Sequence, residues 1–312
     1  MAILLATNFD AAELAAWWPP LQEALPGERL LRDRSELAAG EIIDIALVAN
    51  PPPAALAGLS GLRLIQSLWA GVDKLLADRS IPADVPLARM VDPAMNEAMA
   101  ETALWAVLSV QREFFAYAHQ QREAAWRQLP QRRADETKVA VLGLGQMGRT
   151  CALRLAGNGY RVTGWSRSVA QVTGIHTFAG VAALVPTLAD ADIVVNLLPL
   201  TDTTLGLFNA GTFAQMRRGA ALVNLARGAH VVEADLLAAL ASGQLGHAVL
   251  DVFANEPLPA AHPFWSHPHI TVLPHVAALT DPRSAAAIVA ANVAALRAGR
   301  APENLVDRSR GY

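Results

Sequence analysis

Val139-Ala140-Val141-Leu142-Gly143-Leu144-Gly145-Gln146-Met147-Gly148 is the stretch on which the reading of this chain turns. Lys138 to Leu142 reads as a buried parallel strand, and three glycines follow at the spacing G-x-G-x-x-G. An Ala/Leu-rich helix pattern then runs from about Gln146 to Gly157, and a second strand covers Arg161 to Trp165. In such a unit Gly143 permits the tight turn, Gly145 lets the backbone approach a pyrophosphate, and Gly148 lets helix and strand pack closely. The helix start at Gln146 and Met147 offers free N–H groups and a positive dipole to the anion. The glycine spacing alone is weak; strand, glycines, helix and strand in this order are strong. The plain alternative is a glycine turn that packs without a ligand.

The end of the second strand bears on which dinucleotide would bind. A site for NAD usually carries Asp or Glu there to hold the ribose hydroxyls. This chain has Trp165-Ser166-Arg167-Ser168. Ser166 stands in the acidic position, so no carboxylate repels a 2′-phosphate. Arg167 supplies a charge and a fork of donors for one, and the serines add hydroxyls. NADPH is therefore the expected cofactor, with NADH possible. The alternative is an Arg167 that stacks on adenine or points to water.

Working outward, 312 residues suit two domains better than one small core. A hydrophobic fraction of 53% with 17% charged residues describes an Ala-rich globular chain rather than a disordered one. A net charge of −3 gives no general attraction to nucleic acid or to an anionic membrane. The single cysteine, Cys151, excludes an intrachain disulfide and reads as a buried, inert thiol. The N-terminal MAILLATNFDAAELAAWW lacks a basic leader and looks like a strand entering a helix, and no apolar run is long enough to span a membrane. A cytoplasmic protein is the simplest expectation.

Strand patterns at Ile3–Ala6, Ile45–Ala49, Leu62–Ser67 and Pro86–Met90 alternate with helix patterns near Asp10–Ala24 and Val72–Ala77. This alternation implies a parallel sheet covered on both faces. Ligands of such sheets sit beyond the C-terminal strand ends, which places Asn50 and the turn Trp69-Ala70-Gly71-Val72-Asp73 at a cleft. One long helix is expected from Asn96 to about Ala118, with Phe114, Phe115, Tyr117 and Trp126 clustered near its end as core or as a dimer interface. Further strands are expected at Ile193–Leu197, Ala221–Asn224, Ala248–Asp251 and Thr271–Leu273. Helices are expected at Thr212–Met216, Val232–Ser242 and Arg283–Ala298. The fold class is α/β, with two Rossmann-like or flavodoxin-like parallel-sheet domains and an interdomain cleft.

Arg227, Glu256 and His275 each follow a predicted strand end on the edge that carries the glycine loop. A cation can hold a substrate carboxylate by two hydrogen bonds. An imidazolium can protonate a carbonyl oxygen as hydride reaches the carbon. A carboxylate can orient that ring and favour its charged form. Taken singly each has a plain alternative: Arg227 on a loop, Glu256 at a helix cap, His275 in the core.

Over nearly its whole length the chain resembles the D-2-hydroxyacid dehydrogenases. The residues that carry the resemblance are Gly143 through Gly148, Asn196-Leu197-Leu198-Pro199, Leu225-Ala226-Arg227-Gly228, Asp251-Val252-Phe253 through Glu256-Pro257, and Pro274-His275-Val276-Ala277-Ala278. Trp165-Ser166-Arg167, His230-Val231-Val232-Glu233 and the terminal Arg310-Gly311-Tyr312 look most like the glyoxylate/hydroxypyruvate reductase A branch. The resemblance implies NADPH-dependent reduction of small 2-oxo acids. In it Arg227 binds the substrate carboxylate, His275 is the acid/base and Glu256 is its partner. It also implies that Asp251 holds the nicotinamide carboxamide, that Leu198, Pro199 and Ala226 line the cofactor, and that Ala70 and Gly71 present backbone N–H groups to the substrate. The implied substrate domain comprises residues 1–100 with 283–312, the dinucleotide domain residues 101–282, and the assembly is a homodimer.

Trp69 departs from the branch, where this position is often small. Its indole could shrink the pocket, form a wall for an aryl side chain, or pack between domains. An aryl-pyruvate reductase is thus an alternative, as is a non-catalytic dinucleotide-sensing protein on the same fold. No metal is expected: His119, His176, His230, His247 and His262 lack ligand spacing, and the His267-Pro268-His269 pair reads as a loop.

Overall fold

The computed structural model describes residues 1–311; Tyr312, the last residue of the Arg310-Gly311-Tyr312 segment, lies outside the described residues. The chain forms two compact units, one of residues 1–94 with residues from 280 onward, the other of residues 95–279. The sequence reading placed these divisions at 100/101 and 282/283.

The smaller unit contains strands β1 (Ala2–Thr7), β2 (Leu30–Leu31), β3 (Ile43–Ala49), β4 (Leu64–Ser67) and β5 (Leu87–Ala88), and helices α1 (Ala11–Ala24) and α2 (Asp73–Ala77). Its sheet is all parallel in the order β2-β1-β3-β4-β5. Parallel strands put their C-terminal ends on one edge, so Phe9, Asn50, Trp69 and Arg89 follow strands along that edge. α1 starts where its sequence says it should: Asp10 accepts from the N–H groups of Ala12 and Glu13, and Glu13 reaches back to the N–H of Asp10.

The last helix of the chain, numbered below as α9 (Pro282–Arg297), packs in this unit against α1. Its Arg297 pairs with Glu28 and with buried Asp44, and its buried Asn292 donates to Gln66 at 2.7 Å. The two stretches of chain meet again at their junctions, where Ser284 Oγ donates to Asp92 Oδ2 at 2.6 Å.

The larger unit begins in α3 (Pro93–Gln111) and continues with α4 (Phe114–Arg122), β6 (Lys138–Leu142), α5 (Gln146–Gly157), β7 (Arg161–Ser166), β8 (His176–Ala179) and α6 (Leu184–Asp190). It then adds β9 (Ile193–Asn196), α7 (Ala210–Gln215), β10 (Ala220–Asn224), α8 (Glu233–Ala241), β11 (Leu245–Leu250) and β12 (Ile270–Val272). The seven strands are parallel in the order β12-β11-β10-β9-β6-β7-β8. Strand order reverses between β6 and β9, and a crevice at such a switch point is where open α/β sheets bind dinucleotides.

The near-continuous apolar strands have a physical reason. Ala140, Leu142, Val194, Leu222 and Leu250 enter one core, while Val139, Val141, Val195, Val223 and Val249 enter another. Successive residues point to opposite faces, so both faces of this sheet are buried.

Three local expectations need correction. The single helix expected from Asn96 to Ala118 is two, α3 and α4, because Glu113 takes a left-handed conformation at φ 58°. Segment 129–131 docks on the break, with Gln131 accepting from Arg112 at 2.6 Å and Leu129 N–H donating to Tyr117 at 2.9 Å. β2 and β8 were not read from the sequence: both are short and lie at sheet edges, and β8 alternates exposed with half-buried residues. α6, which carries a proline at Pro186, was not read either.

The aromatic cluster divides. Phe115 stacks on His247 with centroids 4.5 Å apart, whereas Trp126 is 97% exposed. Among the described residues, no helix is long and apolar enough to cross a membrane and no group of acidic, His or Cys residues could hold a metal ion.

Candidate active site

The glycine loop joins β6 to α5. Gly143 has φ +95°, and a Cβ there would stand 2.6 Å from the Leu197 carbonyl oxygen. A Cβ on Gly148 would stand 1.7 Å from the Gly143 oxygen, so helix and loop touch only because Gly148 lacks a side chain. Gly145 is different, since a Cβ there would meet nothing within 4 Å. Steric need accounts for the first and third glycines, and the second borders open space. Gly145 also begins α5 without a side-chain cap, in contrast to α1 and α9, which are capped by Asp10 and Asp281. An uncapped helix start beside open space suits a pyrophosphate, which would accept from the first-turn N–H groups of Gln146 and Met147.

β7 ends at Ser166, whose hydroxyl donates to the Ser168 carbonyl at 2.7 Å. The turn therefore closes on itself and leaves Arg167 and Ser168 at the surface. Arg149 of α5 donates to the carbonyls of Leu144 and Gln171, tying the glycine loop to the segment after Arg167. This tie was not read from the sequence.

His275, Glu256 and Asp251 come together at the ends of β11 and β12. His275 Nδ1 stands 2.9 Å from Glu256 Oε2, and Glu256 Oε1 accepts from Phe253 N–H at 3.0 Å. His275 is a non-glycine residue at φ 56°, a conformation that persists only where surroundings over-determine it. Asp251 supplies much of that constraint. Its carbonyl accepts from His275 N–H at 2.9 Å, and its carboxylate accepts from Val276 and Ala277 N–H at 2.7 to 3.2 Å. Burial raises the Asp251 carboxyl above the usual range, and the two N–H donors only partly offset it. The resemblance implies a cofactor contact for Asp251; its carboxylate also holds the histidine loop.

Arg227 follows β10, and its Nη1 donates to the Ala226 carbonyl at 2.7 Å. The next residue locks this loop to its neighbour, since a Cβ on Gly228 would stand 1.9 Å from Phe253 C and 2.3 Å from Ala254 N. The arginine loop thus lies against the segment that leads to Glu256. Leu198 and Ala226 are buried, and each donates its N–H to a buried asparagine, Asn196 and Asn224 respectively.

In the smaller unit, Trp69 is pinned through its backbone. Its N–H donates to Ser67 Oγ at 3.1 Å, and its carbonyl accepts from Met90 N–H at 3.1 Å. Its indole packs edge-on against Phe9 at 6.1 Å and Trp17 at 5.8 Å, so it is packed within its own unit. Among the described residues, the N–H groups of Ala70 and Gly71 donate to no protein acceptor.

The sequence profile described as "D-isomer specific 2-hydroxyacid dehydrogenase, NAD binding domain" matches residues 104–277, more than half of the chain. The chain belongs to this family. Family members are NAD(P)-dependent oxidoreductases, and the relatives share nearly the full length of this one. A glyoxylate/hydroxypyruvate reductase A of Serratia proteamaculans is 44% identical over 274 residues, which is 86% of this chain and 88% of that protein. A family member from Xanthobacter autotrophicus, solved in complex with NADPH and MES, superposes with a TM-score of 0.93 at 40% identity over 100% of this chain and 99% of that one. An NADPH-dependent glyoxylate/hydroxypyruvate reductase of Sinorhizobium meliloti, solved with NADP and sulfate, gives a TM-score of 0.92 at 35% identity over 100% and 99%.

Proposed function

We propose that the chain reduces small 2-oxo acids, glyoxylate and hydroxypyruvate among them, to 2-hydroxy acids with NADPH. The observation that carries this reading is the His275–Glu256 pair held at 2.9 Å on a constrained loop. Glu256 engages Nδ1, which leaves Nε2 of the ring to address a substrate oxygen. Bound NADPH supplies hydride to the carbonyl carbon. Nε2–H gives its proton to the carbonyl oxygen, and the neutral ring regains a proton from water after product leaves. Arg227 holds the substrate carboxylate with its fork and polarises the carbonyl. In the smaller unit we assign substrate binding to Ala70 and Gly71, whose N–H groups donate to no protein acceptor among the described residues.

Gly143, Gly145, Gln146, Met147 and Gly148 take the pyrophosphate, and Ser166, Arg167 and Ser168 take the 2′-phosphate. Leu198, Pro199, Ala226 and Asp251 line the nicotinamide end. Exposed Phe114 and Trp126 support a homodimer, which sedimentation would test.

The rigid Trp69 favours a second reading on the same scaffold, reduction of aryl-pyruvates. Loss of NADPH absorbance with glyoxylate, hydroxypyruvate and phenylpyruvate in one panel tests both. Oxidation with none of the three overturns the assignment.

A further inference from the structure

Where β9 and β10 end side by side, three polar side chains are sealed inside the larger unit. Asn196 and Asn224 are register partners, and together with His230 they are 0% exposed. Their donor and acceptor roles can be assigned from the network. Leu198 N–H donates to Asn196 Oδ1 at 3.2 Å, which sets the orientation of that amide: turned over, its NH2 would face another N–H. Asn196 Nδ2 then faces Asn224 Oδ1 at 3.0 Å and His230 Nδ1 at 3.0 Å. An amide nitrogen only donates, so His230 Nδ1 accepts and the ring carries its proton on Nε2, which lies 3.3 Å from the Pro199 carbonyl oxygen. At the far end, Asn224 Oδ1 also accepts from Ala226 N–H at 3.3 Å, and Asn224 Nδ2 donates to the Arg227 carbonyl at 2.9 Å.

Among the described residues the network reaches two stretches of backbone. One is the backbone of Leu198 and Pro199, the other the backbone of Ala226 and Arg227. We infer that His230, acting with Asn196 and Asn224, is a positioning residue that sets the cofactor-lining loop and the substrate-binding arginine loop as one hydrogen-bonded piece. This rests on the roles proposed above for Pro199 and Arg227. The three side chains are closed to water, so the bonds among them have no substitute. An apolar side chain at 230 would strand an Asn196 N–H and remove the Nε2–H bond to the Pro199 carbonyl. The loss would be felt at both loops, because Asn196 and Asn224 share their remaining bonds.

The test compares His230→Leu with His230→Gln in the full chain. A glutamine amide offers an acceptor and a donor about as far apart as the two ring nitrogens, so it can fill both roles. NADPH affinity is read by quenching of tryptophan fluorescence, reduction by kcat/KM for glyoxylate, and folding by Tm. His230→Leu is expected to weaken NADPH binding and lower kcat/KM by about tenfold or more each. His230→Gln is expected to recover most of both, whatever its Tm.

A His230→Leu protein that loses only Tm, with both constants within about twofold of wild type, would overturn the inference. So would a Gln variant as impaired as the Leu variant. If the Leu variant does not fold, His230→Met serves in the same comparison. Should wild type oxidise NADPH with none of the three 2-oxo acids, the functional reading fails, while NADPH affinity still reads the Pro199 end of the network.

Discussion

His275 Nδ1 and Glu256 Oε2 lie 2.9 Å apart although the residues are 19 apart in sequence. Two strand ends and a buried aspartate produce this contact. Replacing His275 by Ala should lower kcat by about 10²-fold or more, as expected for a lost general acid. Glu256→Gln removes the carboxylate that holds Nδ1 of the ring, so kcat for glyoxylate should fall while KM changes much less. Steady-state kinetics at one pH read this, and an unchanged kcat would remove Glu256 from its role.

Arg167 sits in an exposed turn after β7, next to Ser166 at the strand end where an acidic residue would discriminate against a 2′-phosphate. Arg167→Ala should reduce kcat/KM with NADPH by about tenfold, the scale of a lost hydrogen bond to a charged group, and change the NADH value much less. Parallel losses with both cofactors would contradict phosphate binding.

Trp69 is held edge-on by Phe9 and Trp17, so its indole cannot easily turn aside. If it forms a pocket wall, Trp69→Gly should change the phenylpyruvate-to-glyoxylate ratio of kcat/KM by roughly 10–200-fold. A lowered Tm with a constant ratio would assign the indole to packing alone.

Burial, with His269 and His267 nearby, pushes His247 down to about 4 from an ordinary 6.5. The unfolded chain therefore binds a proton at this ring between about pH 6.5 and pH 4 that the folded chain does not. Stability linked to His247 is present above pH 6.5 and falls as pH drops to 4, by roughly 2–3 kcal/mol. Urea unfolding at pH 7 and pH 4.5 should show a smaller acid loss in His247→Gln than in wild type. Equal losses would show that other groups control acid sensitivity.

The glycine unit was legible in the sequence because its constraints are local: a turn at Gly143 and a contact between Gly148 and Gly143 lie within six residues of chain. The placement of His275 and Glu256 could be named but not joined, since their contact depends on the register of β11 and β12. Asn196 and Asn224 were hidden differently. An asparagine closing an apolar strand looks like an ordinary turn residue, and only the pairing of β9 with β10 sets two of them opposite each other. The break at Glu113 was invisible because apolar spacing continues through it, and it is held by a segment from elsewhere in the chain. Trp69 was flagged, but its partners Phe9 and Trp17 could be found only in space.

The hydrogen bond between Ser284 and Asp92 has a modular consequence. It brings the exit and the re-entry of the smaller unit to one point, so that residues 95–279 are an insertion between neighbouring ends. A short peptide bridge across that point could replace the whole insertion while β1 to β5, α1 and α9 keep their neighbours. The cofactor-binding portion is, in that sense, an exchangeable cassette, and a chimera carrying the corresponding segment of a relative would require only two splice sites, one beside each of these residues.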